Sequence, residues 1–324
     1  MDIYVKKAII HQFSPDDTDL YLADKFLNIT PKIEEYLRKK IERVYSDEAK
    51  TGIFEEDNPF LEMVSDDLLE TSVAVANRWK EEFIVSENQK TNDLVFIQFS
   101  KEGVDHFAFL RIALRETLTH LGGDVDNPIK LTQNNLPGFG TGADEALVIN
   151  LQSCKYHLIE KRIKYNGTFL NYFSENLLQA QPKISPKKSI KALEKTAQRI
   201  AESFNTDDFQ FQSKVKSAIF NHIEEENKLS PEKLADDLFD DNLTARLSFI
   251  DQVKEAIPEP VTFEEIDASR QLKKFENQKL SLSNGIELIV PNSVYEDAES
   301  VEFILNDNGT YSILIKNIED IQSK

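Results

Sequence analysis

Four cations at helical spacing, Lys188, Lys191, Lys195 and Arg199, are the residues whose type and placement point most directly to chemistry on a ligand. At 100° per residue they share one side of a helix, and Ile190, Leu193, Ala197, Ile200 and Phe204 share the other. With a rise of about 1.5 Å per residue the row extends over about 16 Å, the run of several phosphates along one nucleic-acid strand. The chemistry on offer is neutralisation of a polyanion. The same pattern also describes a solvated helix face. Lys187 and Lys188 count against that simpler reading, because they fall in the first turn, where the helix dipole disfavours cations. Backbone N–H groups left free in that turn would meet a phosphate together with the ammonium groups.

The element that must hold this row begins unambiguously. Ser185 suits an N-cap and Pro186 suits the first helical position, so a helix is expected from there to Phe204. Its setting is basic within an acidic chain. The formal charge of the 324 residues is −19, yet Lys155 to Arg199 holds ten Lys and Arg against three Glu, which makes that segment +7 and leaves −26 elsewhere. Such asymmetry predicts a local cationic surface on a body that otherwise repels polyanions. Lys161, Arg162, Lys164 and Lys183 therefore join Lys187, Lys188, Lys191, Lys195 and Arg199 as candidate phosphate contacts.

The periodicities around that segment predict an α+β chain. Ile3 to Phe13 and Leu20 to Leu22 read as strands, Thr30-Pro31 starts a helix through Ile33, Leu37, Ile41 and Val44, and Asp66 to Val85 is a long amphipathic helix. Lys39, Lys40 and Arg43 are assigned to the solvated face of the first of these helices. Leu94 to Phe99 and His106 to Leu114 form a hairpin, with strands following at Ala146 to Leu151 and Lys155 to Ile163. These give residues 1–166 as a domain with a mainly antiparallel sheet and flanking helices. Residues 167–257 are expected to be a helical middle domain, with one helix marked by Phe169, Tyr172, Phe173, Leu177 and Leu178, then the basic helix, then Asp207 to Glu226 and helices after Ser230-Pro231 and Asp241. Pro258-Glu-Pro260 reads as a linker. Residues 261–324, with strands at Ile286 to Val290, Val301 to Leu305 and Tyr311 to Ile315, make a small C-terminal β-subdomain.

Other chemistries find little support. The five histidines, His11, His106, His120, His157 and His222, show no metal-ligand spacing, and a single cysteine, Cys154, excludes an intramolecular disulfide and a cysteine-based zinc site. The glycine-rich Leu136-Pro-Gly-Phe-Gly-Thr-Gly142 lacks the Gly-Lys-Ser/Thr of a phosphate loop and reads as a flexible connector. Asp16, Asp17 and Asp19 lack the glycine and distal glutamate of a calcium loop, and the pairs Asp66-Asp67, Asp207-Asp208 and Asp240-Asp241 fall at helix starts, where the dipole favours carboxylates. No enzymatic activity, cofactor or metal is expected. No apolar run approaches the roughly 18 residues of a membrane span, and the start Met-Asp-Ile-Tyr-Val-Lys-Lys has no signal-peptide pattern, so a cytoplasmic location is expected.

Three stretches carry a family likeness: Lys7-Ala-Ile-Ile-His-Gln-Phe13, Phe169-Leu-Asn-Tyr-Phe-Ser-Glu-Asn-Leu-Leu178, and Gly285-Ile-Glu-Leu-Ile-Val through Asp307-Asn-Gly-Thr-Tyr-Ser-Ile-Leu-Ile315. In this order from end to end, the chain resembles the bacterial nucleoid-associated protein family of about 37 kDa, and its own mass is 37.2 kDa. The resemblance implies a place in the nucleoid and DNA binding without enzymatic activity. It supplies no contact motif, so the candidate DNA-binding residues rest on charge position. The resulting expectation is a protein that holds the phosphates of double-stranded DNA with little sequence specificity. A homodimer would suit it, because two linked sites raise effective concentration. The competing expectation, drawn from the charge of −19, is an acidic adaptor that imitates DNA and docks on DNA-processing proteins.

Overall fold

A computed structural model of the chain describes residues 1–16, 18–86, 90–120, 129–165, 167–205, 209–263 and 268–322. Asp17, Asp207 and Asp208, and Asn166 at the expected domain boundary, lie outside these. The contacts divide the chain into two compact units, Met1–Ser185 and Pro186–Lys324.

The first unit contains strands β1 (Ile3–Ser14) and β2 (Asp19–Tyr21), helix α1 (Pro31–Glu42), strand β3 (Lys50–Ile53), helices α2 (Pro59–Glu62) and α3 (Leu68–Phe83), and strands β4 (Asn92–Lys101) and β5 (Val104–Ala113). It continues with β6 (Arg115–His120), β7 (Ile129–Asn135), β8 (Glu145–Asn150), β9 (Lys155–Ile159), β10 (Ile163–Tyr165) and β11 (Thr168–Leu170). Seven strands form one antiparallel sheet in the order β2-β1-β4-β5-β8-β9-β3. Both of its faces are covered. Leu94 and Phe96 point with Trp79, Val75 and Phe83 of α3 into one core, whereas Val95, Ile97 and Phe99 point with Leu37 and Ile41 of α1 into another. Burial on both sides explains why Leu94 to Phe99 reads as an almost unbroken apolar run.

Helix starts follow their chemistry: Thr30 Oγ1 accepts from Ile33 N–H at 3.4 Å, and Asp67 Oδ1 accepts from Leu69 and Glu70 N–H at 2.8 and 3.3 Å. Three expectations in this unit fail for identifiable reasons. Lys40 is fully buried instead of solvated, and its ammonium donates to the carbonyls of Pro137, Gly138 and Thr141 at 3.4, 2.8 and 2.5 Å. The glycine-rich loop is therefore an anchored wrap around that cation and not a flexible connector. Tyr36 closes it, with its ring 4.4 Å from the ammonium and its hydroxyl donating to Pro137 O at 3.0 Å. Burial, followed by Arg43 and Arg115, pushes Lys40 down to about 8, so it keeps its proton at neutral pH. The helix expected over Phe169 to Leu178 is instead strand β11 followed by a π-helical turn at Phe173–Leu177. Phe169 is exposed, while Tyr172, Phe173, Leu177 and Leu178 fill the core under α3.

A buried polar network joins these layers. Arg111 Nε donates to Glu145 Oε2 at 2.6 Å, Tyr172 Oη donates to the same oxygen, Trp79 Nε1 donates to Tyr172 Oη at 3.0 Å, and an Arg111 terminal nitrogen donates to Asn92 Oδ1 at 2.9 Å. Elsewhere in the same unit, His11 is buried and neutral. Its Nδ1 accepts from Ala23 N–H at 3.0 Å, which leaves Nε2 to donate to Ser72 Oγ at 2.9 Å, and burial pushes its pKa down to about 4.

The second unit holds α4 (Pro186–Ser203), α5 (Phe209–Glu226), β12 (Lys228–Leu229), α6 (Pro231–Leu238), α7 (Leu243–Ala256), β13 (Val261–Thr262), α8 (Ser269–Phe275), β14 (Asn277–Ser281), β15 (Glu287–Pro291), α9 (Asn292–Tyr295), β16 (Val301–Leu305) and β17 (Tyr311–Ile315). Its core draws Ile190, Leu193 and Ile200 from α4, Val215 and Ile219 from α5, Leu234 from α6 and Phe249 and Val253 from α7. Ile257, Val261 and Phe263, on either side of Pro258-Glu-Pro260, belong to that same core, and β12 pairs with β13 across the α6–α7 excursion. Ser230 stands at the start of α6, but its hydroxyl donates to Glu232 Oε2 at 2.8 Å in place of capping the helix. Gln278 in β14 reaches Ser213 O on α5 at 3.2 Å and Asn292 Oδ1 at 2.8 Å, which ties the C-terminal strands to the helices.

Two stability measurements check this description. The unfolded chain binds a proton at His11 near pH 6.5 that the folded chain refuses until about pH 4, so this residue withdraws stability as pH falls through that window. His11→Asn should be less stable than the parent at neutral pH, and the gap in urea unfolding free energy should narrow by roughly 2–3 kcal/mol by pH 4.5. A gap that stays constant would contradict a buried neutral imidazole. Arg111→Met strands the Glu145 carboxylate in the core and should cost roughly 3–5 kcal/mol, whereas Arg111→Met with Glu145→Leu should recover most of it. Equal losses in the single and double variants would show that the pair is not energetically coupled.

Candidate nucleic-acid interface

Helix α4 forms where the cap and proline signals place it, with Ser185 buried immediately ahead of Pro186. Its apolar stripe is fully used: Ile190, Leu193, Ala197 and Ile200 are buried and Phe204 packs beside them. Burial of that stripe fixes the rotation of the helix. Lys188, Lys191, Lys195 and Arg199 consequently all lie on its exposed side, with Lys187 exposed next to them.

The electrostatic state of this row differs from that of its neighbours. Among the described residues none of Lys188, Lys191, Lys195 and Arg199 forms an ion pair. In the same unit Lys233, Arg246 and Lys254 are paired with Glu226, Asp236 and Glu232, and Lys254 and Ser230 hold the Glu232 carboxyl down to about 2. Glu194, the acid within the row, is half-buried and engaged by Lys274 of α8 at 3.8 Å. Lys274 thus partly offsets the one carboxylate that interrupts the cations. Nothing local in the sequence flags it, because its link to α4 spans 80 residues of chain and exists only in the packed unit.

The remaining candidates belong to the first unit. Lys161 is committed to Asp144 at 2.7 Å, and Arg162 donates to Phe169 O at 3.0 Å, which braces the β10–β11 hairpin. Lys164 is an exposed residue of β10, and Lys183 is exposed while its backbone N–H donates to Thr51 O on edge strand β3 at 2.7 Å. The nine candidates are therefore shared between two units, five on α4 and four on the sheet unit.

Within the second unit, α6 and α7 joined by Phe239–Asn242 have the connectivity of a helix-turn-helix pair. The surface of α7 is poorly suited to a phosphate backbone: its exposed residues are Leu243, Thr244, Leu247, Asp251, Lys254, Glu255 and Ala256, and Lys254, its exposed cation, is paired with Glu232. Among the described residues no group of three or more His, Cys, Asp or Glu is placed to hold a metal ion, and no helix is long and apolar enough to cross a membrane.

Comparison with known proteins gives one result that spans the molecule. No curated protein matches the chain. Residues 9–321 match the family model described as nucleoid-associated protein YejK, from within β1 to beyond β17.

Proposed function

We propose that this chain, which belongs to the nucleoid-associated protein YejK family, binds double-stranded DNA non-enzymatically through the cationic side of α4. The observation that carries the reading is the row of Lys188, Lys191, Lys195 and Arg199, exposed and, among the described residues, without ion pairs in a protein of charge −19. Counter-ions condensed on DNA are released when such a row meets phosphates, and that term is independent of sequence. At physiological salt the Debye length is about 8 Å, so the cations act locally while the acidic remainder keeps the rest of the molecule off the duplex. Lys187 extends the row at the helix start, and Lys161, Arg162, Lys164 and Lys183 supply further phosphate contacts. The protein so described works in the nucleoid and contributes to chromosome organisation.

A second reading keeps its own support. The charge of −19, with Asp236, Asp237, Asp240, Asp241, Asp251 and Glu255 around α6 and α7, suits an adaptor that imitates DNA for DNA-processing proteins. Titration of a plain duplex at low salt separates the two, since the adaptor does not bind it.

The test of the leading reading is the salt slope. Replacing Lys188, Lys191, Lys195 and Arg199 together by glutamine should leave the fold intact and flatten the slope of log affinity against log salt by up to roughly 3–4, at about 0.9 per phosphate. The loss should be similar on AT-rich and GC-rich duplexes, because phosphate contacts carry no direct sequence information. Ile200→Asp is the control that should lower stability by burying a carboxylate in the α4 core. An unchanged slope in the glutamine variant moves the contact to Lys161, Arg162 and Lys164.

A further inference from the structure

Strands β16 and β17 form a hairpin of unbroken register, in which Val301 faces Ile315, Phe303 faces Ile313 and Leu305 faces Tyr311. Among the described residues the two strands pair only with each other. The three pairs share one side of the ribbon, and that side is apolar throughout. The ring of Tyr295 lies 5.3 Å from that of Phe303, and Val301 is buried, but Leu305, Tyr311 and Ile315 stay 62%, 53% and 47% exposed. The main chain opens in the same place. Lys316 N–H donates to Ser300 O at 2.9 Å and Asn306 N–H to Thr310 O at 2.8 Å, so the hairpin's own bonds fall at even-numbered positions. Ile313 and Ile315 therefore turn their N–H and C=O away from β16. Edges of the seven-stranded sheet are blunted, since β2 is three residues long and β3 meets Lys183. By contrast β17, Tyr-Ser-Ile-Leu-Ile, has no proline, no charge and no bulge, which makes its edge a template for a further strand.

We propose that β17 takes up an extended, cationic segment of another protein as a third strand. Main-chain bonds to Ile313 and Ile315 hold it, and its alternate apolar side chains continue the open side made by Leu305, Tyr311 and Ile315. Charge selects the occupant. Residues 296–320 hold seven carboxylates against one lysine, and that lysine, Lys316, is paired with Glu302 at 2.6 Å. A second copy of this chain brings the same seven carboxylates and is repelled, as is DNA, whereas a strand rich in lysine or arginine is attracted. The inference stands apart from the DNA reading, because the cations of α4 and the carboxylates about β17 suit opposite ligands. It also differs from imitation of DNA, which needs carboxylates but no strand edge.

Fluorescence anisotropy of the full chain with a labelled nonapeptide of alternating lysine and valine tests it. The chain should bind this peptide roughly tenfold more tightly than glutamate–valine or lysine–serine peptides of the same length, and the binding should weaken as salt rises. A lysine–valine peptide N-methylated at alternate residues lacks the donors that the edge requires and should lose roughly tenfold, with the protein unaltered. Ile315→Pro removes an outward N–H at an exposed position, so it should weaken binding by a similar factor while the circular dichroism spectrum and melting curve stay as they are. Absence of binding, equal affinity for the glutamate–valine peptide, indifference to N-methylation, or an Ile315→Pro chain that folds and binds as before would each overturn the proposal. A change in the mass of the chain by light scattering on Ile315→Pro would assign the edge to a second copy and overturn it as well.

Discussion

One carboxylate oxygen governs the order of the sheet unit. Glu145 Oε2 on β8 receives Arg111 from β5 and Tyr172 from the segment beyond β11, and Tyr172 in turn receives the indole of Trp79 on α3. Arg111 is held charged despite burial because Glu145 lies against it, and burial with that same carboxylate keeps Tyr172 protonated far above the ordinary range. Desolvating such groups is unfavourable, and the cost is met only when the donors and acceptors are aligned together. The network therefore admits one registration of α3 over the sheet and one path for the chain after β11. That path is the one by which the polypeptide reaches Lys183, whose N–H closes onto Thr51, before the helical unit begins.

The helical unit obeys a different constraint, set by charge. Acidic residues on α5 and α6 take up nearby lysines and an arginine, while Lys274 partly offsets Glu194 on α4. Overall charge and local potential thus part company on a scale of a few ångströms, which short screening lengths preserve. A net value of −19 is consequently a poor guide to what α4 attracts. The helix-turn-helix connectivity of α6 and α7 illustrates the same point, since a topology associated with base reading here presents a surface that is mostly apolar and acidic.

Much of this was legible from residue order alone because the relevant signals are local. Ser185-Pro186 and the alternation of Ile190, Leu193, Ala197 and Ile200 with the cations specify both the start of α4 and the face it buries. The antiparallel character of the sheet unit, the helical middle and the small C-terminal strand pairs were legible for the same reason. What escaped depends on distant partners. Lys40 looks like any solvated lysine until residues 97 to 101 positions away supply the carbonyls that receive it. Phe169 to Leu178 has helical spacing, but Tyr172 must present its hydroxyl to Glu145 and Phe169 must leave the core, so the segment kinks into a strand and a π turn. Strands β6 and β7 were missed because Thr, Gln and Asn dominate them and their apolar positions are few.

The anchoring of the glycine-rich loop has a consequence for how the chain can vary. Within the loop Lys40 reaches main-chain oxygens, those of Pro137, Gly138 and Thr141, and every residue type carries such an oxygen. The two sides of the contact are therefore unequal as targets of mutation. Side chains within the loop can be exchanged freely wherever the backbone path survives, whereas a single lost or inserted residue displaces the receptors. At position 40 the tolerance is reversed: a long side chain with several donors is required, and neighbouring sequence cannot compensate for it. Among relatives, this anchor would be recorded as a constant lysine and a constant loop length around changing loop letters.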